Sequence, residues 1–162
     1  YREMLVETLR KYQAYNKKPA SKTLLAKLIY LADFAWFYNE LKPMSGMKYR
    51  RLQYGPVPDQ FFRIVDEMVD RGELNLEIIP PAAGKKSPAQ KLSLSDDLSA
   101  EPVQYLSQKE LSLIDEIVKK SKDDTVDEIV NFTHNQLPWQ VTRPNEFIPY
   151  ELITQEEPEN VY

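Results

Sequence analysis

Apolar residues recur at helical spacing through the first forty positions of the chain. Leu5, Leu9 and Tyr12 share one face of residues 2–15, with Glu3, Glu7, Arg10 and Lys11 between them. Asn16-Lys17-Lys18-Pro19 breaks that pattern, and Ser21 is placed to cap a second helix reaching about Tyr38. This second segment holds Leu24, Leu25, Leu28, Ile29, Tyr30, Leu31, Phe34, Trp36 and Phe37. It is apolar nearly all round, which predicts a central helix buried by neighbours on several sides. Leu28, Leu31 and Phe34 are its expected innermost positions.

Residues 43–58 read as a punctuated connection, with Pro43, Ser45, Gly46, Gly55, Pro56 and Pro58 breaking regular structure. A third helix is expected from about Pro58 to Arg71, ended by Gly72. Leu74, Leu76 and Ile78 alternate with polar residues, and Leu92 and Leu94 echo them after the polar loop 80–90. That pattern predicts a β-hairpin with a mobile tip. Ser107 with Glu110, and Thr125 with Glu128, are capping boxes opening two further helices. The first should bury Leu111, Ile114, Ile117 and Val118; the second should bury Val126, Ile129, Val130 and Phe132. Prolines at 138, 144 and 149 predict turns and short helices, and the acidic run from Gln155 should fray. The expected fold is mainly α: a compact domain over 1–154 with about five main helices and one small β-hairpin. A flexible acidic tail, 155–162, follows it.

Composition narrows the chemistry. Without cysteine there is no disulfide and no thiolate zinc site, which suits a cytoplasmic protein. With 21 basic against 25 acidic residues, the net charge of −4 disfavours nucleic acid as a partner. No apolar run is long enough for a membrane span. His134 is the sole histidine and no nucleophile elbow is present. The glycines, at 46, 55, 72 and 84, do not form a phosphate-cradling loop. The expectation is therefore no enzyme, no metal and no cofactor. Asp33 stands out as a carboxylate inside the apolar helix, where it should bond a neighbouring loop. His134 is placed to cap the end of a helix, and Trp139 to anchor the core. Lys48-Tyr49-Arg50-Arg51 with Gln53 and Tyr54 is the best candidate contact surface, because Arg and Tyr dominate interface hot spots. Tyr49, Arg50, Arg51 and Tyr54 are the expected partner-binding residues, with both arginines at the surface.

Three local patterns occur in order: Leu28-Ile29-Tyr30-Leu31-Ala32-Asp33; Ser45-Gly46 leading to Tyr54-Gly55-Pro56-Val57-Pro58; and Thr133-His134 followed by Pro138-Trp139. Together they resemble the Panacea domain, the SocA-like antitoxin domain also met in phage-associated proteins, over roughly residues 20–150. The resemblance implies a mostly helical antitoxin of a type II toxin–antitoxin system that neutralises a cognate protein toxin by direct contact. It implies a structural role for Asp33, Gly55, Pro56, Thr133, His134 and Trp139. The alternatives are a protease adaptor, with a protease as second partner, and a DNA-binding regulator. An enzyme using Asp33 and His134 is the remaining class.

Overall fold

Every residue from Leu24 to Phe37 is buried, on a helix that the rest of the chain surrounds. The computed structural model describes residues 1–81 and 87–162. The surrounded helix is α2 (Lys22–Glu40), preceded by α1 (Arg2–Asn16) and the short strand β1 (Ala20–Ser21). Ser21 caps α2 by accepting from the Leu24 amide at 3.1 Å. Leu41 ends it in the left-handed conformation, φ 55°, with its N–H on the Phe37 carbonyl. Leu28, Leu31 and Phe34 are 1%, 2% and 0% exposed, as the all-round apolar pattern requires.

Next come β2 (Tyr49–Leu52), β3 (Gly55–Pro58), α3 (Phe61–Asp70), β4 (Leu74–Ile79) and β5 (Ala89–Leu94). They are followed by α4 (Asp96–Ala100), α5 (Gln108–Lys120), α6 (Val126–Asn135), α7 (Leu137–Val141) and β6 (Phe147–Ile148). Two 3₁₀ helices, Tyr150–Gln155 and Pro158–Asn160, close the chain. Both expected capping boxes form. The Ser107 and Thr125 amides each donate at 2.7 Å to their glutamates, which donate back through their amides at 3.3 and 3.2 Å. On α5, Leu113, Ile114, Ile117 and Val118 are buried, while Leu111 is half-buried. On α6, Ile129 is buried and Val126, Val130 and Phe132 are only partly so.

The mainly α expectation is corrected. Two three-stranded antiparallel sheets accompany the helices among the described residues, and the fold is mixed helix and sheet. The β4–β5 hairpin is present, and β1 extends it by pairing Ala20 with Leu92 and Ser21 with Lys91. The tip of that hairpin, residues 82–86, lies outside the described residues. The second sheet, ordered β3-β2-β6, arises from the stretch expected to be an irregular connection. Arg51 faces Pro56 and Leu52 faces Gly55 across β2 and β3, while Tyr49 faces Ile148 across β2 and β6. Pro56 and Pro58 are tolerated because β3 is an edge strand, where a missing N–H need not break the ladder.

Residues 155–162, expected to fray, lie against the domain. Val161 is 1% exposed, and the Gln136 side-chain amide donates to the Asn160 and Val161 carbonyls at 2.7 and 2.9 Å. Among the described residues, no helix is long and apolar enough to cross a membrane.

Candidate functional site

Two buried clusters hold the motif residues, one at each of the buried charged residues of α2, Asp33 and Lys27. The first centres on Asp33, which is 0% exposed. Its Oδ1 accepts from the Met44 and Ser45 amides at 2.7 and 3.1 Å. Its Oδ2 accepts from the Tyr49 hydroxyl at 2.9 Å and the Tyr150 hydroxyl at 2.8 Å, and also from the Ser45 hydroxyl. The Ser45 hydroxyl in turn accepts from the Met47 amide at 3.0 Å. One carboxylate thereby pins the loop after α2, strand β2 and the C-terminal 3₁₀ helix to the central helix. Burial, and then the Asp33 charge, push the Tyr49 and Tyr150 phenols well up, so both remain donors. Their rings close the cluster around Phe34, at centroid distances of 5.3 Å for Tyr49 and 4.5 Å for Tyr150.

The second cluster centres on Gly55. Its φ is +95°, and a Cβ there would lie 2.7 Å from Lys27 Cε, 3.1 Å from Thr133 Oγ1 and 3.2 Å from His134 Nε2. Glycine is thus required both by its conformation and by the approach of three side chains. Lys27 is 1% exposed and donates to the Pro56 carbonyl at 2.8 Å. Burial lowers its pKa to about 7. Thr133 donates to the Val130 carbonyl at 2.9 Å. The His134 ring stacks on Trp139 at 3.9 Å, with 16° between the planes, and the Arg51 guanidinium lies 3.9 Å from the Trp139 ring. Burial, then the charges of Lys27 and Arg51, hold His134 below its ordinary range. Its imidazole faces Gly55 and Trp139 instead of capping carbonyls at the end of α6.

The four expected partner-binding residues separate along β2 and its turn. Tyr49 is 0% exposed and belongs to the Asp33 cluster, which corrects its assignment as a surface anchor. Strand alternation sends it inward, Arg50 outward and Arg51 back against Trp139. Arg50 bonds Asp59 at 2.9 Å and the Asn145 carbonyl at 2.7 Å, and lies over Phe147 at 4.1 Å. Both arginines therefore carry structural contacts, and a double charge reversal would disturb the fold. Only Tyr54, 67% exposed at the β2–β3 turn, projects freely. Lys27 was not singled out in the sequence; the signal was a charge inside an otherwise apolar helix, the same signal that marked Asp33.

A family model described as antitoxin SocA-like, Panacea domain, matches residues 25–140, well over half of the chain. A search of curated proteins returned no match, and neither did a search of solved structures. The matched span covers Lys27, Asp33, Tyr49, Gly55, Thr133, His134 and Trp139 of the two clusters, while Tyr150 lies beyond it. The chain belongs to the antitoxin SocA-like, Panacea domain family.

Proposed function

We propose that this chain is the antitoxin of a type II toxin–antitoxin pair, acting in the cytoplasm by binding a cognate protein toxin and covering or locking its active surface. The observation that carries this reading is membership of the SocA-like Panacea family across residues 25–140. The geometry agrees with a binding module. Asp33 and His134, the residues an enzyme would have used, are engaged inside the scaffold: the carboxylate holds a loop, a strand and a helix, and the imidazole stacks on Trp139. A stable interface needs roughly 1,200–2,000 Å² of total buried area, centred on a few aromatic and Arg anchors. The β2–β3 turn offers Tyr54 for that role.

The test is co-expression with the product of the adjacent gene, scored for growth, together with a pull-down. Restored growth and a stable complex support the reading. A folded chain that neither binds nor rescues removes it.

A further inference from the structure

The turn at Gly55 gathers positive charge that the chain itself leaves unanswered. Among the described residues, neither Arg51 nor Lys27 has a carboxylate within 4.0 Å, whereas the adjacent Arg50 has Asp59 at 2.9 Å. Arg51 Nε, His134 Nε2 and Trp139 Nε1 are all buried without a hydrogen-bond partner among the described residues. Buried polar groups are ordinarily satisfied, and leaving one unmet is costly. Three such atoms in one stack mark a place where the fold tolerates unmet polar groups and uncompensated charge.

Arg51 carries the one permanent charge of the stack, all three members of which are half-buried. Its guanidinium is oriented by the Trp139 ring. Its backbone is tied on both sides, its N–H to the Glu146 carbonyl at 2.9 Å and its carbonyl to the Asn145 amide at 2.8 Å. A guanidinium held over an aromatic ring has less freedom to lose when it takes a carboxylate through two parallel N–H bonds. Lys27 lies behind it at Gly55 and adds a partial positive charge near pH 7, where its ammonium titrates, while the His134 imidazole beside it is held mostly neutral. The elements that frame the stack carry exposed apolar residues: Tyr54 at 67% on the β2–β3 turn and Val141 at 55% on α7. Arg and aromatic residues are enriched at the core of protein interfaces, where neighbouring contacts exclude water from the anchor.

We propose that Arg51, held on Trp139 beside His134, is the anchor that receives an aspartate or glutamate side chain of a protein partner. The proposal rests on the binding-module reading and names the chemistry of the partner's matching residue.

His134, the sole histidine, gives a direct readout. The Arg51 charge contributes to holding its pKa down, so a carboxylate bound at Arg51 raises it. A proton NMR titration of the imidazole is run with hexaglutamate, hexaglutamine or inorganic phosphate, on wild type, Arg51→Gln and Arg51→Lys. Hexaglutamate is expected to raise the His134 pKa by about half a unit or more in wild type, with no response to hexaglutamine and none in Arg51→Gln. No response to hexaglutamate, or the same response in Arg51→Gln, overturns the proposal. An equal response to phosphate also overturns it, because the site would then take any anion. A second arm measures binding to the adjacent gene's product. Arg51→Gln is expected to weaken it at least about tenfold, with Arg51→Lys intermediate, both variants being assayed well below their own melting temperatures. Undiminished binding by Arg51→Gln overturns the proposal and leaves the antitoxin reading standing. Failure of wild type to bind or rescue defeats the antitoxin reading, while the peptide titration still decides the role of Arg51.

Discussion

Gly55 and Lys27 are in direct apposition: a Cβ at position 55 would sit 2.7 Å from Lys27 Cε. Lys27 cannot swing away easily, because it is 1% exposed and bonded to the Pro56 carbonyl. The φ of +95° adds backbone strain for any other residue. Gly55→Ala should therefore destabilise the fold by about 2–4 kcal/mol. Urea denaturation checks this. A loss below about 0.5 kcal/mol would mean the turn relaxes freely.

Asp33→Asn tests the first cluster. The amide keeps the shape, but it loses the charge and presents a donor where hydroxyl and N–H donors now converge. Hydrogen bonds to a charged group contribute about 1.5–3 kcal/mol each, so losing two or more of those at Asp33 should cost about 3–5 kcal/mol. For a domain of this size the melting temperature should fall by roughly 6–20 °C. An unchanged melting temperature would show that the carboxylate does not organise the loop, strand and helix it touches.

Stability should rise with pH between about 7 and 9. Lys27 titrates near 7 in the fold against an ordinary value of 10.5. Between those values the unfolded chain holds a proton that the folded one lacks, so raising pH favours the fold. Below about 7 both states are protonated, and the full cost of burying the ammonium is present. His134, also lowered, acts in the same direction at more acidic pH. The raised phenols of Tyr30, Tyr49 and Tyr150 act oppositely above about pH 10, where the unfolded chain loses protons that the fold keeps. Denaturation midpoints across this range should climb for wild type and flatten in Lys27→Met. A flat wild-type profile would contradict the buried, uncompensated amine.

Tyr54 and Arg50 should separate binding from stability. Tyr54→Ala removes a mostly exposed ring and should change stability by no more than about 0.5 kcal/mol while weakening toxin binding. Arg50→Glu places a negative charge beside Asp59 and removes the bond to the Asn145 carbonyl, so it should lower the melting temperature. Parallel melts and pull-downs of the two variants check the assignment. Undiminished toxin binding by Tyr54→Ala would remove the β2–β3 turn from the interface.

The sequence was most legible where one strong pattern covered a whole element. The apolar run of α2, the capping boxes of α5 and α6 and the alternation in β4 each announced their structures. The sheet formed by β2, β3 and β6 did not, because two prolines sit in β3 and β6 is only two residues long. Tyr49 lay between Lys48 and Arg50 and read as surface; pairing with both β3 and β6 turns it into the core. The C-terminal segment read as acidic and free, but Val161 supplies an apolar anchor and Glu156 accepts from the Leu137 amide. Asp33 and Gly55 were visible as residues out of keeping with their surroundings. Their partners were not, since Tyr150 and His134 reach them only through long-range packing.

The central claim is stoichiometric neutralisation through direct binding. The decisive measurement is a titration of purified chain into a fixed amount of the adjacent gene's product, reading residual toxin activity. Activity should fall linearly and vanish at a fixed molar ratio, coincident with complex formation. Complete neutralisation at a small fraction of that ratio, with no complex formed, would contradict the account and point to catalysis instead.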